Sequence, residues 1–186
     1  MTVAEIQNDL KNSLSERRYR HSVGVAEEAE RLAKHYGADA EKAYLSGLIH
    51  DCTKEVPPEE TIALLRNHGY MPIKEELASP TVLHGKLGAY FAKEKFGITD
   101  EEMLDALRYH TTGCAGMTLL MKIVFIADFI EPNRTYPDVE YLRKLTYQDL
   151  HAGMLFALDY TLEDLMRKKR AIHPDTVLCR NDLLIG

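Results

Sequence analysis

The chain of 186 residues has few cysteines and no long apolar run. The three cysteines, Cys52, Cys114 and Cys179, are widely spaced and form no Cys-x-x-Cys pair, which argues against a disulfide scaffold and against a zinc ribbon. Lys122 and Asp128 interrupt the most apolar stretch, so no segment has the length of a membrane span, and the polar N-terminus lacks the apolar core of a signal peptide. We therefore expect a protein of the reducing cytoplasm that makes no membrane contact.

Positive charge is also scarce, because 23 lysines and arginines face 29 acidic residues and the formal net charge is −6. Nucleic-acid binding draws its affinity from neutralised phosphates, so this balance argues against a general nucleic-acid binder. Any anionic substrate must be met by local basic side chains or by metal ions. With 45% hydrophobic residues the chain can bury one sizeable core, and we expect a single domain over residues 1–186.

Apolar residues recur at helical spacing almost throughout, and no segment sustains an alternation of period two, so the sequence predicts an all-α fold. Prolines, glycines and N-cap residues divide this pattern into helices. The expected helices cover residues 3–20, 21–36, 39–51, 57–68, 80–96, 99–110, 118–130 and 147–169, with one more helix before residue 147 and a short helical segment after residue 175.

Several helix ends are predicted from particular residues. His21 is expected to open the second helix, after the basic stretch that ends the first. Thr99 and Glu102 are expected to form a capping box, in which each side chain satisfies a free backbone amide of the first turn. Residues 70–77 are expected to connect two helices without being helical, and the long helix is expected to begin near Tyr147.

The most informative pattern is a set of side chains that can bind metal ions, each near a helix end or inside a helix. The set comprises His21, His50, Asp51, His84, His110 and Asp128. Imidazole nitrogens and carboxylate oxygens are ordinary ligands of iron, manganese, nickel and zinc, and Asp51 is a candidate to bridge two ions. Two ions roughly 3.5–4 Å apart clamp a phosphoryl group and activate a shared water, so the pattern predicts hydrolysis of a phosphate ester or phosphoanhydride.

Asp128 lies in the most hydrophobic of the predicted helices. An unpaired carboxylate in such a helix is expensive, and coordination to a cation offsets this cost. The sequence therefore gives Asp128 a physical reason to be a metal ligand. The alternative is an ordinary ion pair with Arg134 or Lys122.

The order of these residues resembles the HD-domain superfamily of metal-dependent phosphohydrolases. The similarity extends to flanking residues, and over nearly its whole length the chain resembles the bacterial YqeK family. The matching segments are RHS at 20–22, GLIHDCTK at 47–54, LHG at 83–85, RYHTTG at 108–113, ADFIEPNR at 127–134 and IHP at 172–174. Members of that family are symmetrical hydrolases that split diadenosine tetraphosphate into two ADP molecules at a di-iron centre. The resemblance implies this activity and two iron ions, for which the same ligands would also accept manganese, nickel or zinc.

Carried over residue by residue, the resemblance implies two ligand sets that share Asp51 as the bridge. The first set comprises His21, His50, Asp51 and Asp128, and the second comprises Asp51, His84 and His110. We expect the catalytic residues to be Asp51, Lys54, His84 and His110, in which Lys54 neutralises the leaving ADP.

Basic residues close to the ligands in sequence are the candidates for binding phosphate. Lys54 stands three positions after the bridging aspartate, and Arg20 stands directly before a ligand. Arg134 resembles a family position at which a planar guanidinium can grip phosphate with two hydrogen bonds. Each of the three has the alternative of a solvated surface charge.

Nucleoside contacts are predicted from aromatic and hydroxyl side chains. Tyr109 and Tyr136 are candidates to stack on a base, and Thr111 to bond ribose or phosphate, although an aromatic at helical spacing is more often part of the core. Arg170 and His173 belong to a tail that resembles the family's closing motif and is expected to fold over the site. The alternative for this tail is a basic helix end that complements the helix dipole.

Two other functions stay open. Another HD phosphohydrolase, such as a nucleotidase or a cyclic-nucleotide phosphodiesterase, would need almost the same metal ligands. A non-catalytic regulator that binds nucleotide or metal would keep the fold, but a degenerate domain would be expected to lose at least one ligand, and all six are intact. The family resemblance also implies a homodimer.

Overall fold

Helices account for 73% of the structure, a computed structural model that describes residues 1–185, and this range contains no strand. The prediction of an all-α fold is therefore confirmed. None of the helices in this range is both long enough and apolar enough to cross a membrane.

The helices follow one another with short connections. Within residues 1–185 they are α1 Val3–Ser13, α2 Glu16–Tyr36, α3 Ala40–Ile49, α4 Pro58–Asn67, α5 Lys74–Ala78, α6 His84–Phe91, α7 Glu101–Tyr109, α8 Leu119–Ile130, α9 Val139–Gln148, α10 Leu150–Arg167 and α11 Pro174–Ile185. A 3₁₀ turn, Pro80–Leu83, leads into α6, and a π-helical turn, Ala92–Phe96, follows it.

The start of α2 corrects a prediction made from the sequence. Helix α1 ends before Leu14, and α2 begins at Glu16, because the Ser15 hydroxyl accepts a hydrogen bond from the backbone N–H of Arg18. A serine caps a helix far better than an arginine does, so the basic stretch belongs to α2. His21 lies in the second turn of α2 and does not open it, which places it on the same helix face as Arg18.

Three other predictions about helix ends are wrong for similar reasons. Residues 70–77 are not simply a connection, because α5 begins at Lys74. The cap of α7 is Asp100, which accepts from the two following backbone amides, and not Thr99. Tyr147 belongs to α9, and α10 begins at Leu150 after its own cap, Asp149. At α7 and α10 an aspartate offers a stronger acceptor to the free amides than the residue first expected. The last segment, α11, is also longer than expected, with 12 residues.

Helix α8 is the centre of the main core. It packs against α2, α3, α7, α9 and α10, and Ile123, Val124 and Ile126 are fully buried. A second cluster joins α1, α3 and α7 through Ile6, Leu48 and neighbouring apolar residues. The core therefore surrounds α3, whose C-terminal end is followed by His50 and Asp51, and α8, which carries Asp128.

Helices α2 and α3 approach each other closely at Gly47. A Cβ atom at this position would lie 2.9 Å from the Cα atom of Ala26 and 3.0 Å from the carbonyl oxygen of Val25. The same glycine supplies the carbonyl that receives the Nδ1–H of His50. Its lack of a side chain therefore sets both the helix packing and the place of a candidate ligand.

We expect Gly47→Ala to lower the free energy of unfolding by about 2 kcal/mol or more, because the backbone of α2 must move to admit the methyl group. The measurement is urea unfolding followed by circular dichroism. The matched control is Gly88→Ala in α6, where the nearest atom would lie at 3.6 Å, and where alanine is expected to be neutral or stabilising. Equal stability of the two variants would contradict the close-packing argument.

Candidate metal centre

Three of the candidate ligands stand at helix ends, where the backbone orients them. His50 and His110 are the C-caps of α3 and α7, and His84 follows the 3₁₀ turn as the first residue of α6. In each, Nδ1 lies 2.6 to 2.7 Å from the carbonyl oxygen three positions earlier. Those carbonyls belong to Gly47, Thr81 and Leu107. Because a carbonyl can only accept, Nδ1 must carry the proton, and the lone pair of the neutral imidazole is on Nε2.

The fourth histidine is oriented by a carboxylate. His21 Nδ1 lies 3.1 Å from Oε1 of Glu131, and its Nε2 lies 3.0 Å from Oδ1 of Asp128. Glu131 is buried, and its other oxygen accepts from the backbone and side-chain amides of Asn133 at 2.7 and 2.8 Å. A Cβ atom at Gly24 would lie 2.5 Å from that oxygen, so only glycine leaves room for the carboxylate beside α2.

Asp51 lies between two pairs of histidines and directs one oxygen to each pair. Its Oδ1 lies 2.9 Å from Nε2 of His84 and 3.5 Å from Nε2 of His110. Its Oδ2 lies 3.4 Å from Nε2 of His50 and 3.6 Å from Nε2 of His21. This is the geometry that a carboxylate needs in order to bridge two cations.

The donor atoms repel one another unless cations lie between them. The Nε2 atoms of His84 and His110 lie 2.9 Å apart, and since both carry lone pairs they repel without a cation. Within residues 1–185, Nε2 of His50 is buried and has no hydrogen-bond partner. Two groups of donors, each spanning less than 4.8 Å, share Asp51, one with His21 and His50 and the other with His84 and His110.

The protonation states also suit metal binding. Burial lowers the pKa of His84 to about 4, so its imidazole is neutral at pH 7. Burial favours the neutral acid of Asp51, but the positive field and hydrogen bonds of the surrounding histidines outweigh it and hold the pKa of this carboxyl well below its usual range. A neutral imidazole at His84 beside the ionised carboxylate of Asp51 is a combination that coordinates cations.

Asp128 forms the ion pair with Arg134 and also lies beside two of the candidate histidines. Its Oδ1 lies 2.5 Å from Nη2 of Arg134, and the Nε–H of Arg134 donates to the Asp128 carbonyl at 2.8 Å. The same Oδ1 lies 3.0 Å from His21 and 3.8 Å from His50. The ion pair with Arg134 therefore does not remove Asp128 from the histidine cluster, and its role as a ligand stays a prediction.

Arg18 is a contact that the sequence reasoning missed. Its Nη1 lies 2.5 Å from Oδ2 of Asp51, and the side chain is only 18% exposed. The signal was available in the spacing, because Arg18 precedes His21 by three positions and therefore shares its helix face once both belong to α2. Arg18, Arg20 and Arg134 line a basic cavity of about 210 Å³ beside His21. Arg20 itself is exposed.

Two larger cavities lie next to each other and share Asp164 and Lys168 in their linings. The first, called the Tyr160 cavity, has a volume of about 330 Å³ and is lined by Asp128, Arg134, Tyr136 and Tyr160 among others. The second, called the Thr161 cavity, has a volume of about 320 Å³. Its lining includes Thr81, Thr111, Thr161, Arg170 and His173. The structure thus brings five of the predicted substrate-binding residues to one or the other of these cavities.

The remaining predicted substrate residues are placed differently. Lys54 lines a third cavity of about 250 Å³ together with His84, and its Nζ lies 3.3 Å from Nε2 of that histidine. Tyr109 packs against the main core, with Nζ of Lys86 5.3 Å from its ring centre, and is not among the lining residues of these cavities. A base-stacking role for Tyr109 stays a prediction without support from its position.

His173 joins a buried polar cluster as well as the Thr161 cavity. Its Nε2 lies 3.3 Å from Oε1 of Glu76, which is fully buried. Glu76 also accepts from the hydroxyl of Tyr70 at 2.8 Å and from the backbone N–H of Ile73 at 2.9 Å, with Nζ of Lys86 at 3.5 Å. This cluster fastens the start of α11 to α5 and so holds two walls of the cavity together.

The family model of the HD domain matches residues 18–133, a range that includes all six candidate ligands. The chain belongs to the HD domain family. An HD domain implies bound divalent metal ions, and the shared carboxylate and the facing imidazoles described above fit that implication.

Similarity to known proteins extends beyond residues 18–133 to nearly the whole chain. The symmetrical bis(5'-nucleosyl)-tetraphosphatase of Bacillus subtilis is 41% identical over 177 residues, covering 95% of each chain. The protein of the same name from Staphylococcus aureus is 35% identical over 97% of this chain and 94% of its own. A solved structure from Clostridium acetobutylicum, described as a predicted HD superfamily hydrolase involved in NAD metabolism, has a TM-score of 0.97 and 41% identity, and covers 99% of this chain and 97% of its own.

We expect Glu131→Gln to weaken divalent-metal binding roughly 10- to 100-fold, because a neutral amide orients and polarises the His21 imidazole less well than a carboxylate does. Titration calorimetry with Mn²⁺ on the purified HD protein measures the affinity. The control is Glu140→Gln, whose side chain is 75% exposed on α9. An unchanged affinity in Glu131→Gln would show that the carboxylate does not act through His21.

The buried Glu76 cluster predicts a pH dependence of stability. Burial raises the pKa of Glu76, but the hydrogen bonds from His173, the Ile73 amide and Tyr70 outweigh it and hold the pKa at about 2, below its ordinary 4.5. Since the pKa is depressed in the folded state, this stabilisation is complete above about pH 4.5 and is lost as the pH falls towards 2.

Glu76→Gln is therefore expected to cost on the order of 3 kcal/mol at pH 7 and progressively less below pH 4.5. Urea unfolding of both proteins between pH 7 and pH 3 measures the difference. The control is Glu60→Gln at an exposed position of α4. A cost that does not shrink at low pH would mean that the charge of Glu76 is not the stabilising feature.

Proposed function

We propose that the protein hydrolyses dinucleoside tetraphosphates symmetrically, and that diadenosine tetraphosphate yields two ADP molecules. The observation that carries this proposal is the bridging geometry of Asp51, whose two oxygens face two separate pairs of histidines. A pair of adjacent cation sites is the arrangement that clamps a phosphoryl group during in-line attack. The names of the relatives that match nearly the whole chain supply the substrate class.

The proposed ligand sets follow the two halves of the centre and share Asp51. One comprises His21, His50, Asp51 and Asp128, and the other comprises Asp51, His84 and His110. Divalent ions bound there supply an activated water and neutralise negative charge on the phosphoryl oxygens. Iron is the metal we propose from the family resemblance, and manganese, nickel or zinc would suit the same donors.

The chain's own contribution is to orient the ligands and to supply positive charge. Three histidines are fixed through backbone carbonyls and the fourth through Glu131, so the centre is arranged before substrate arrives. Arg18 and Arg134 hold their guanidinium groups at the carboxylates of Asp51 and Asp128. A substrate phosphate can take over these donors, because its oxygens accept the same paired hydrogen bonds.

Lys54 is the group we propose for neutralising the leaving nucleoside diphosphate. Its ammonium lies beside His84, at the half of the centre away from Arg134. Burial lowers the pKa of Lys54 from its ordinary value, and an arriving phosphate raises it again because the opposite charge favours the protonated form. The ammonium is thus best stabilised when the substrate is bound.

We also propose that the chain acts as one domain over residues 1–186, in the cytoplasm, as a homodimer, and without nucleic acid as a partner. The net charge of −6 supports the last point, since the basic side chains near the centre serve a local phosphate site and not an extended surface.

The test is a product analysis by ion-exchange chromatography after incubation of metal-loaded protein with diadenosine tetraphosphate. ADP is expected as the sole product. In Asp51→Asn, turnover and bound metal are both expected to be lost, whereas the matched Asp105→Asn is expected to keep both, because the Asp105 side chain is 40% exposed and pairs with Arg108. ATP together with AMP would contradict symmetrical cleavage. Turnover of mononucleotides or cyclic nucleotides alone would identify another kind of HD phosphohydrolase, and no turnover at all would favour a regulator.

A further inference from the structure

The Tyr160 cavity and the Thr161 cavity each adjoin a different half of the metal centre. Asp128, which lines the Tyr160 cavity, lies 3.0 Å from His21. On the other half, Thr81 lines the Thr161 cavity, and its carbonyl accepts from Nδ1 of His84. Thr111, next in sequence to His110, lines the same cavity. The two histidine pairs served by Asp51 therefore each have a cavity beside them.

The two cavities are nearly equal in size, at about 330 and 320 Å³. Both volumes reach the lower end of the range of small-molecule sites, roughly 300 to 1,000 Å³. Their linings differ in chemistry. The Tyr160 cavity is aromatic, since the rings of Tyr136 and Tyr160 lie 5.5 Å apart, whereas the Thr161 cavity is lined largely by hydroxyl and charged side chains.

The last turns of α10 separate the cavities. Asp164 and Lys168 line both of them, Tyr160 faces only the first, and Thr161 faces only the second. Nζ of Lys168 lies 2.6 Å from Oδ2 of Asp164, so a positive charge is held on the ridge between the two spaces. A polyanionic chain that runs from one cavity to the other meets this charge as well as the metal centre.

The ridge lies outside the segment shared with HD domains in general, which ends at residue 133. Tyr136, Tyr160, Thr161 and Lys168 all follow that boundary. The shared segment thus supplies the candidate metal centre and part of each lining, and the helices after it supply the remaining walls.

We infer that each cavity binds one nucleoside of a dinucleoside tetraphosphate, and that Lys168 on the ridge between them binds the phosphate chain. This inference rests on the proposed function, because it assumes a substrate with a nucleoside at both ends. It explains symmetrical cleavage physically. With one nucleoside anchored beside each half of the centre, the middle of the phosphate chain lies at the bridging Asp51.

Binding stoichiometry tests the inference without turnover. Titration calorimetry on metal-loaded protein is expected to give one methylene-bridged, non-hydrolysable diadenosine tetraphosphate analogue per chain, but two ADP per chain. Failure of the analogue to bind would overturn the proposed function. Binding of one analogue with only one ADP would overturn the two-cavity inference and leave the proposed function standing.

Variants assign the two ADP molecules to the two cavities. Thr161→Phe fills the Thr161 cavity and is expected to reduce the binding stoichiometry from two ADP to one ADP per chain. Binding of ADP at the remaining site shows that the variant is folded. Tyr160→Ala is expected to lower the affinity for one of the two ADP molecules roughly fivefold, because stacking on the base is lost. Should Thr161→Phe fail to fold, Arg170→Met, which lines the same cavity, is expected to weaken the second ADP. Two unchanged ADP sites in all folded variants would overturn the assignment.

Lys168→Met tests the ridge. The substitution is expected to lower the affinity for the analogue roughly tenfold, since a charge-assisted hydrogen bond to phosphate is lost. The matched control is Lys169→Met, an exposed neighbour of the same charge that lines neither cavity. Equal affinities of the two variants would contradict a phosphate contact by Lys168.

Discussion

The structure depends on one buried carboxylate that has to stay ionised among four imidazoles. Asp51 is only 3% exposed, and the lone pairs of His84 and His110 face each other beside it. Such an arrangement is costly in an apolar core unless cations fill it, because each uncompensated polar group loses the solvation that it has in water. Binding of cations would therefore stabilise this buried cluster.

The ends of helices provide most of the rigidity of this arrangement. A helix leaves its last carbonyls without intrahelical partners, and in α3 and α7 a histidine at the C-cap meets one of them through Nδ1. The same bond that satisfies the backbone also directs Nε2 of His50 and His110 inward. Secondary-structure capping and ligand orientation are thus one interaction, which explains how short helices can hold a centre without long polar networks.

The candidate donors and the cavity walls are only partly separated along the chain. The segment matched by the HD family contains all six candidate donors and part of each cavity lining, and α10 and the residues just before α11 complete the linings. The buried Glu76 joins these parts, because its bonds to His173 connect the later helices to α5. A change of substrate can therefore arise in α10 without disturbing the metal ligands, consistent with function residing in sites grafted on a common fold.

The sequence by itself determined the all-α class and most helices, because helical periodicity is a local property, and it predicted six candidate donor residues from metal-ligand chemistry. The sequence analysis placed the start of α2 at His21. The helix begins after Ser15, because the Ser15 hydroxyl accepts a hydrogen bond from the backbone N–H of Arg18. Only the tertiary structure decided that Arg18 reaches Asp51, that Glu131 orients His21, and that two cavities flank the centre. These contacts join residues from 33 to 110 positions apart, and helix packing, which sequence spacing does not encode, brings them together.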